Sequence, residues 1–253
     1  MTFNIRFDNP NDGKNIWENR KTEVLELIKY YHPGFFGLQE AMNNQLEFIN
    51  DGLKDYAFIG VGREDGKQKG EYTPIFFDST SFQLISHHTF WLSETADEVS
   101  VGWDAALERI CTYGLFMDKE TGDSIHVFNT HFDHMGKVAR LMSAKLIEQK
   151  IDGVASGSSF IILMGDLNCT PESEPFQVLQ EELDYGAEIS LKGLYGPDGT
   201  FNGYVEDLVM TERIDHIFTR NFKVNSYRHI DDRMKNNGYL SDHLPVIAEI
   251  EVK

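Results

Sequence analysis

The chain has 253 residues, 41% hydrophobic and 25% charged, which is the composition of an ordinary soluble globular protein with room for one or two domains. Lys and Arg total 23 against 41 Asp and Glu, a formal net charge of −18, and no Lys/Arg cluster is long enough to track a duplex. Apolar runs such as Phe160–Met164 are too short to span a bilayer. The composition therefore excludes a membrane span and disfavours a large nucleic-acid surface, while leaving room for an enzyme that neutralises phosphate with a metal ion.

In chain order, β-branched and aromatic runs predict strands at Thr2–Phe7, Phe35–Gln39, Ala57–Val61, Thr73–Phe77, Phe82–Leu92, Ile110–Met117 and Ser124–Asn129. Further strands follow at Ser159–Met164, Ile214–Thr219, Lys223–His229 and Pro245–Val252. Helical spacing appears in Trp17–Tyr31, where Val24, Leu27, Ile28 and Tyr31 follow the i, i+3, i+4, i+7 pattern. Asn43–Lys54, Lys137–Ile151 and Ser173–Leu183 are the other helices, the last entered through Pro171 and Ser173. No repeat, low-complexity tract or linker divides the chain, so residues 1–253 are expected to form one α/β domain with mixed sheets. Cys111 and Cys169 cannot make a disulfide scaffold. No signal peptide leads the chain, and a start inside a strand leaves the compartment open, cytoplasmic or exported.

Polar, metal-competent groups recur where apolar strands end. Phe160–Met164 runs into Gly165-Asp166-Leu167-Asn168; on a continued extended path Asp166 and Asn168 would leave on one face. Such a pair can hold a water and orient a phosphate, or can simply bond its own backbone in a turn. Ser241-Asp242-His243 stands before the last strand, and Arg213-Ile214-Asp215-His216 places a carboxylate in a strand that reads as buried, where it needs a partner. Leu38-Gln39-Glu40 ends another strand, and Asn129-Thr130-His131-Phe132-Asp133-His134 alternates polar groups on one face. Asn4 and Arg6 repeat the two-residue spacing in the first strand. Each has a structural explanation alone, but strand ends converging on one cleft are where α/β folds build sites.

The ordered set Asn4, Glu40, Asn129-Thr130-His131, Gly165-Asp166-Leu167-Asn168, Arg213-Ile214-Asp215 and Ser241-Asp242-His243 resembles the endonuclease/exonuclease/phosphatase (deoxyribonuclease I-like) superfamily across essentially the whole chain. Gly165–Ser173 looks most like the deadenylase-type branch. Asp8–Gly13, Phe90–Thr95 and Trp103–Ala106 are similar to a bacterial subgroup with no assigned substrate. The resemblance implies a four-layer sandwich of two packed mixed β-sheets flanked by helices, and metal-dependent hydrolysis of a phosphate ester with Mg²⁺ or Mn²⁺. It implies Glu40 as principal metal ligand with Asn4 and Asp242 near the ion. Asp166 would orient or deprotonate the attacking water, Asn168 would hold the phosphate, and His243, oriented by Asp215, would contact it or act as acid or base. His131 would face the leaving oxygen, Glu71 would support that histidine, and Arg109 and Asn129 would bind or support the phosphate. Cys169-Thr170 and Ile214-Asp215-His216 depart from the inositol 5-phosphatase pattern, which disfavours that substrate.

The expected substrate is a small phosphate ester, including a nucleotide or short nucleic acid, with no protein partner inferred and a monomeric state. Two other readings compete. Asn129-x-His131-x-Asp133-His134 approaches the metallo-β-lactamase motif of a dinuclear zinc hydrolase. A non-catalytic binding protein could also keep the fold. The filled set of acids and bases argues against both.

Overall fold

The computed structural model describes residues 1–253. Two mixed sheets stack face to face. The first runs in the order β10 (Leu194–Tyr195), β12 (Phe222–His229), β13 (Val246–Val252), β1 (Thr2–Asn4), β2 (Phe35–Gln39), β4 (Ile75–Asp78), β3 (Tyr56–Ile59). The second runs β5 (Phe82–Trp91), β6 (Ile110–Asp118), β7 (Ser124–His131), β8 (Phe160–Asp166), β11 (Asp215–Arg220), β9 (Asp184–Tyr185). Helices α1 (Trp17–Tyr31) and α2 (Asn43–Gly52) cover the outer face of the first sheet, and α3 (Lys137–Val154) and α4 (Glu174–Glu182) cover that of the second. This is the four-layer α/β sandwich that the sequence predicts.

Alternation on the strands assigns the layers. In β2, Phe36 and Leu38 pack with Val24, Ile28 and Leu46 of the helices, while Phe35 joins the core between the sheets. In β8, Ile162 and Met164 face the other sheet, and the same alternation carries Asp166 inward at the strand's end. Gly37 of β2 is needed as glycine: a Cβ there would lie 2.4 Å from Asn129 Cγ. That close approach lets the Asn129 amide span the two sheets. It donates to the carbonyls of Leu38 and Pro74 at 2.9 and 2.8 Å and accepts from Gln39 Nε2 at 2.6 Å.

Differences from the predicted elements are local. The sequence predicts one strand over Thr2–Phe7, but β1 stops at Asn4 because Arg6 takes a left-handed backbone, φ 57°. The short β9, α5 (Gly186–Ile189) and β10 carry too few residues to show periodicity. No helix is long and apolar enough to cross a membrane.

Candidate active site

The site lies between the sheets at one end of the sandwich. β1, β2, β7 and β8 finish there, and β11 and β13 begin there. Asn4 ends β1, Glu40 follows β2, and Asp242 and His243 precede β13. The second sheet supplies His131, Asp166 and Asp215 from the ends of β7, β8 and β11. The pocket they bound has a volume of about 410 Å³.

At its floor Asn4 is a hub. Its amide donates to Glu40 Oε1 at 3.1 Å and to Asp166 Oδ2 at 3.0 Å, and stands 3.5 Å from His243 Nε2. Asn4 Oδ1 accepts from the Arg6 N–H at 3.0 Å, so the residue predicted as an ion neighbour ties the proposed ligand carboxylate to the proposed base. Glu40 Oε2 accepts from the Phe7 N–H at 3.1 Å. Glu40 itself is left-handed, φ 59°, which turns its side chain off the strand and into the cleft.

His243 Nδ1 donates to Asp215 Oδ2 at 2.9 Å, and the same oxygen accepts Thr200 Oγ1 at 2.6 Å. Burial alone would lower the His243 pKa, but Asp215, Asp166 and Asp242 outweigh it and hold the ring well above its usual value. Asp166 shows the reverse balance. Burial and Asp215 push it up to about 7 against the pull of His243 and the Asn4 amide. Asp242 is raised by burial and by Glu40, opposed by His243 and Arg6.

The extended path expected through Asn168 does not continue. Asn168 is left-handed, φ 47°, and its N–H donates to Asp166 Oδ1 at 2.9 Å while its amide donates to the Phe132 carbonyl at 2.9 Å. The turn and the site are thus the same structure, and Asn168 still lines the pocket.

The opposite wall is basic. His131 Nε2 lies 3.5 Å from Asp166 Oδ2; burial, then Arg109 and Arg63, hold its pKa well below the usual value. Arg109 is fixed by Asp133 at 3.3 Å and His134 at 2.9 Å, leaving one guanidinium nitrogen, Nη1, buried without a partner.

Two supporting assignments need correction. Glu71 lines the pocket, but both of its oxygens accept from Arg63, at 2.8 Å each, and it makes no hydrogen bond to His131. Arg63 takes it because a half-buried carboxylate gains more from a bidentate guanidinium than from an imidazole. Asn129 is not in the pocket; its amide is spent bridging the sheets, where unpaired backbone carbonyls would otherwise be buried. Sequence reasoning misses Arg63, Thr200 and Phe201, whose ring meets His243 edge-on at 5.1 Å. Arg63 sits in the Gly60–Gly66 loop, which has no periodicity to mark it.

The donor set suits a hard divalent cation. Glu40, Asp242, Asp166 and Asp215 place four carboxylates around one end of the sandwich, and Asp215 Oδ1 is buried without a partner. Asp166, Asp215 and His243 lie close enough for their ligand atoms to share an ion. The zinc pattern does not assemble. Asn129 faces the sheet interface, Asp133 accepts the Met135 and Gly136 N–H groups at the start of α3, and His134 is engaged by Arg109.

The same architecture recurs in known proteins. A mannosyl-6-phosphatase of Bacteroides thetaiotaomicron is 35% identical, with a TM-score of 0.94 over 99% of this chain and 98% of that one. An endonuclease/exonuclease/phosphatase of Bacteroides vulgatus is 37% identical, TM-score 0.94, over 100% and 97%. An uncharacterized protein of Acanthamoeba polyphaga mimivirus is 27% identical over 93% of this chain and 92% of its own length. Residues 1–243 match the family described as Endonuclease/Exonuclease/phosphatase, and the chain belongs to that family of phosphoric ester hydrolases.

Proposed function

We propose that the protein hydrolyses small phosphate esters with a Mg²⁺ or Mn²⁺ ion held by Glu40 and Asp242 beside Asn4. The observation that carries this reading is the hydrogen-bonded set Asp215–His243 and Asn4–Asp166, buried at the foot of a pocket whose rim is open. A bound ion would polarise a phosphoryl oxygen and offset the charge that develops on it. Asp166, with its pKa raised to about 7, is matched to taking a proton from an attacking water near neutral pH. His243, kept protonated by Asp215, donates to a phosphoryl oxygen as negative charge builds there. Asn168 and Arg109 orient the phosphate, and neutral His131 faces the leaving oxygen.

The chain's net charge of −18 opposes a long polyanion more than a small ester. The likeness to a mannosyl-6-phosphatase supports a sugar phosphate as the small ester. The test is a panel of hexose phosphates, nucleoside monophosphates, a small chromogenic diester, oligonucleotides and plasmid DNA, each assayed with Mg²⁺, Mn²⁺ or a chelator. Turnover of small esters that the chelator abolishes is expected. Turnover indifferent to chelation, or none on any ester, would overturn the reading.

A further inference from the structure

Arg6 has no part in the roles above, although it stands beside the residues that carry them. Its left-handed turn, which few non-glycine residues adopt, is held by its N–H on Asn4 Oδ1 at 3.0 Å and its carbonyl accepting Gln45 Nε2 at 2.9 Å. The turn folds the guanidinium back over the site, 4.6 Å above the Phe7 ring. There Nε and Nη2 donate to the two oxygens of Asp12 at 3.0 and 3.3 Å. The same group reaches 3.8 Å from Glu40 Oε2 and 3.7 Å from Asp242 Oδ2. Those distances are too long for hydrogen bonds but short enough for strong charge interaction. Arg6 therefore offsets the charge of both carboxylates without occupying the lone pairs that a cation would use.

Three carboxylates, Asp12, Glu40 and Asp242, share this one guanidinium, which leaves two negative charges, the charge of a single divalent ion. Catalytic ion pairs sit about 3.5–4 Å apart. A second ion at that distance from Glu40 and Asp242 would stand close to the Arg6 guanidinium, and the remaining carboxylates offer only one unpaired oxygen, Asp215 Oδ1, since Asp166 bonds Asn4 and Asn168 and Asp215 Oδ2 bonds His243 and Thr200.

We propose that Arg6 is a built-in cation that sets the metal content of the site at one divalent ion. The proposal rests on the reading that Glu40 and Asp242 hold an ion. Metal-free protein titrated with Mn²⁺, followed by electron paramagnetic resonance of the free ion and by calorimetry, reads it without any activity assay. The wild type should bind one Mn²⁺ per chain. Arg6→Gln should bind a second ion or tighten the first by about tenfold or more, and Arg6→Lys, which keeps the charge, should stay at one. Asp12→Asn removes a negative charge from the same cluster and should weaken binding by about tenfold. If Arg6→Gln does not fold, Arg6→Lys and Asp12→Asn still carry the test. Two ions in the wild type overturn the proposal. So do Arg6→Gln and Asp12→Asn shifting affinity in the same direction, since both would then act only on the shape of the loop. A wild type that binds no Mn²⁺ overturns the metal reading itself, and the role of Arg6 with it.

Discussion

The sandwich holds two cavities of about 410 Å³, one at each end of the space between its sheets. They share strands and differ in what those strands carry. Along the inward face of β7, Ile125 lines one cavity and His131 the other; along β8, Ile162 and Met164 give way to Asp166; along β11, Ile217 gives way to Asp215, which lies beneath the second cavity. Twelve of the sixteen residues around the first are hydrophobic, against four of sixteen around the second. Equal volume thus says nothing about chemistry. Interacting titratable groups in a low-dielectric wall do, and they cluster at the end where polar residues converge.

Four measurements test this contrast. At the polar end, Asp215→Asn should lower kcat by roughly 10² or more, the scale of a general acid–base contribution, with the circular dichroism unchanged. A wild-type rate would remove the Asp215–His243 pair from the mechanism. At the apolar end the effect should appear in stability alone. Phe35 packs on Phe82 and Phe116 at 4.3 and 5.0 Å between ring centres. Phe35→Ala should cost about 3–5 kcal/mol in denaturant titrations while leaving the kcat of the folded enzyme intact. A matching loss of kcat would mean that the two ends are coupled.

The third measurement concerns a histidine behind the polar end. His216 is buried with Nε2 donating to the Cys169 carbonyl at 3.0 Å, and burial lowers its pKa from 6.5 to about 4. Above pH 6.5 the ring is neutral in folded and unfolded chains alike. Below it the unfolded chain takes up a proton that the folded one resists, so stability falls as acid is added through the window down to pH 4. The loss should approach about 3 kcal/mol, and His216→Gln should flatten that part of the profile. The smallest effect is on substrate choice. Raising salt from low to physiological levels should improve oligonucleotide turnover by about a few-fold relative to a small ester, because screening over roughly 8 Å relieves repulsion only for substrates that extend past the cleft. Equal salt dependence would indicate a dedicated nucleic-acid groove.

Much of the polar end is legible in the amino-acid sequence alone. Asp166, Asp215, Asp242, His243, Glu40 and His131 all follow or precede apolar runs, and polar groups at the ends of buried strands collect at one end of the sandwich. What sequence does not separate is depth along a single strand face. Asn129 and His131 alternate onto the same side of β7, yet two residues of rise put one in the sheet interface and the other in the pocket. Nor does it choose partners: nothing around Glu71 in the sequence names its partner, and only the path of the Gly60–Gly66 loop brings Arg63 to it rather than His131. The end of β1 at Asn4 depends on a backbone angle at Arg6 that no side-chain pattern encodes.

The Asn129 bridge carries a mechanical consequence. Two hydrogen bonds and the missing Cβ of Gly37 lock β7 against β2 next to the site, a third ties it to Pro74 ahead of β4, and β7 and β2 are the strands that lead to His131 and Glu40. Sliding one sheet over the other would strip all three bonds at once from groups with no access to water. Shear between the layers is thereby opposed, at the point where β7 and β2 lead to the basic and acidic walls. Any adjustment of the pocket to substrate is thus left to the segments that rim it, around Leu107 and Glu212, rather than to sliding of the sheets.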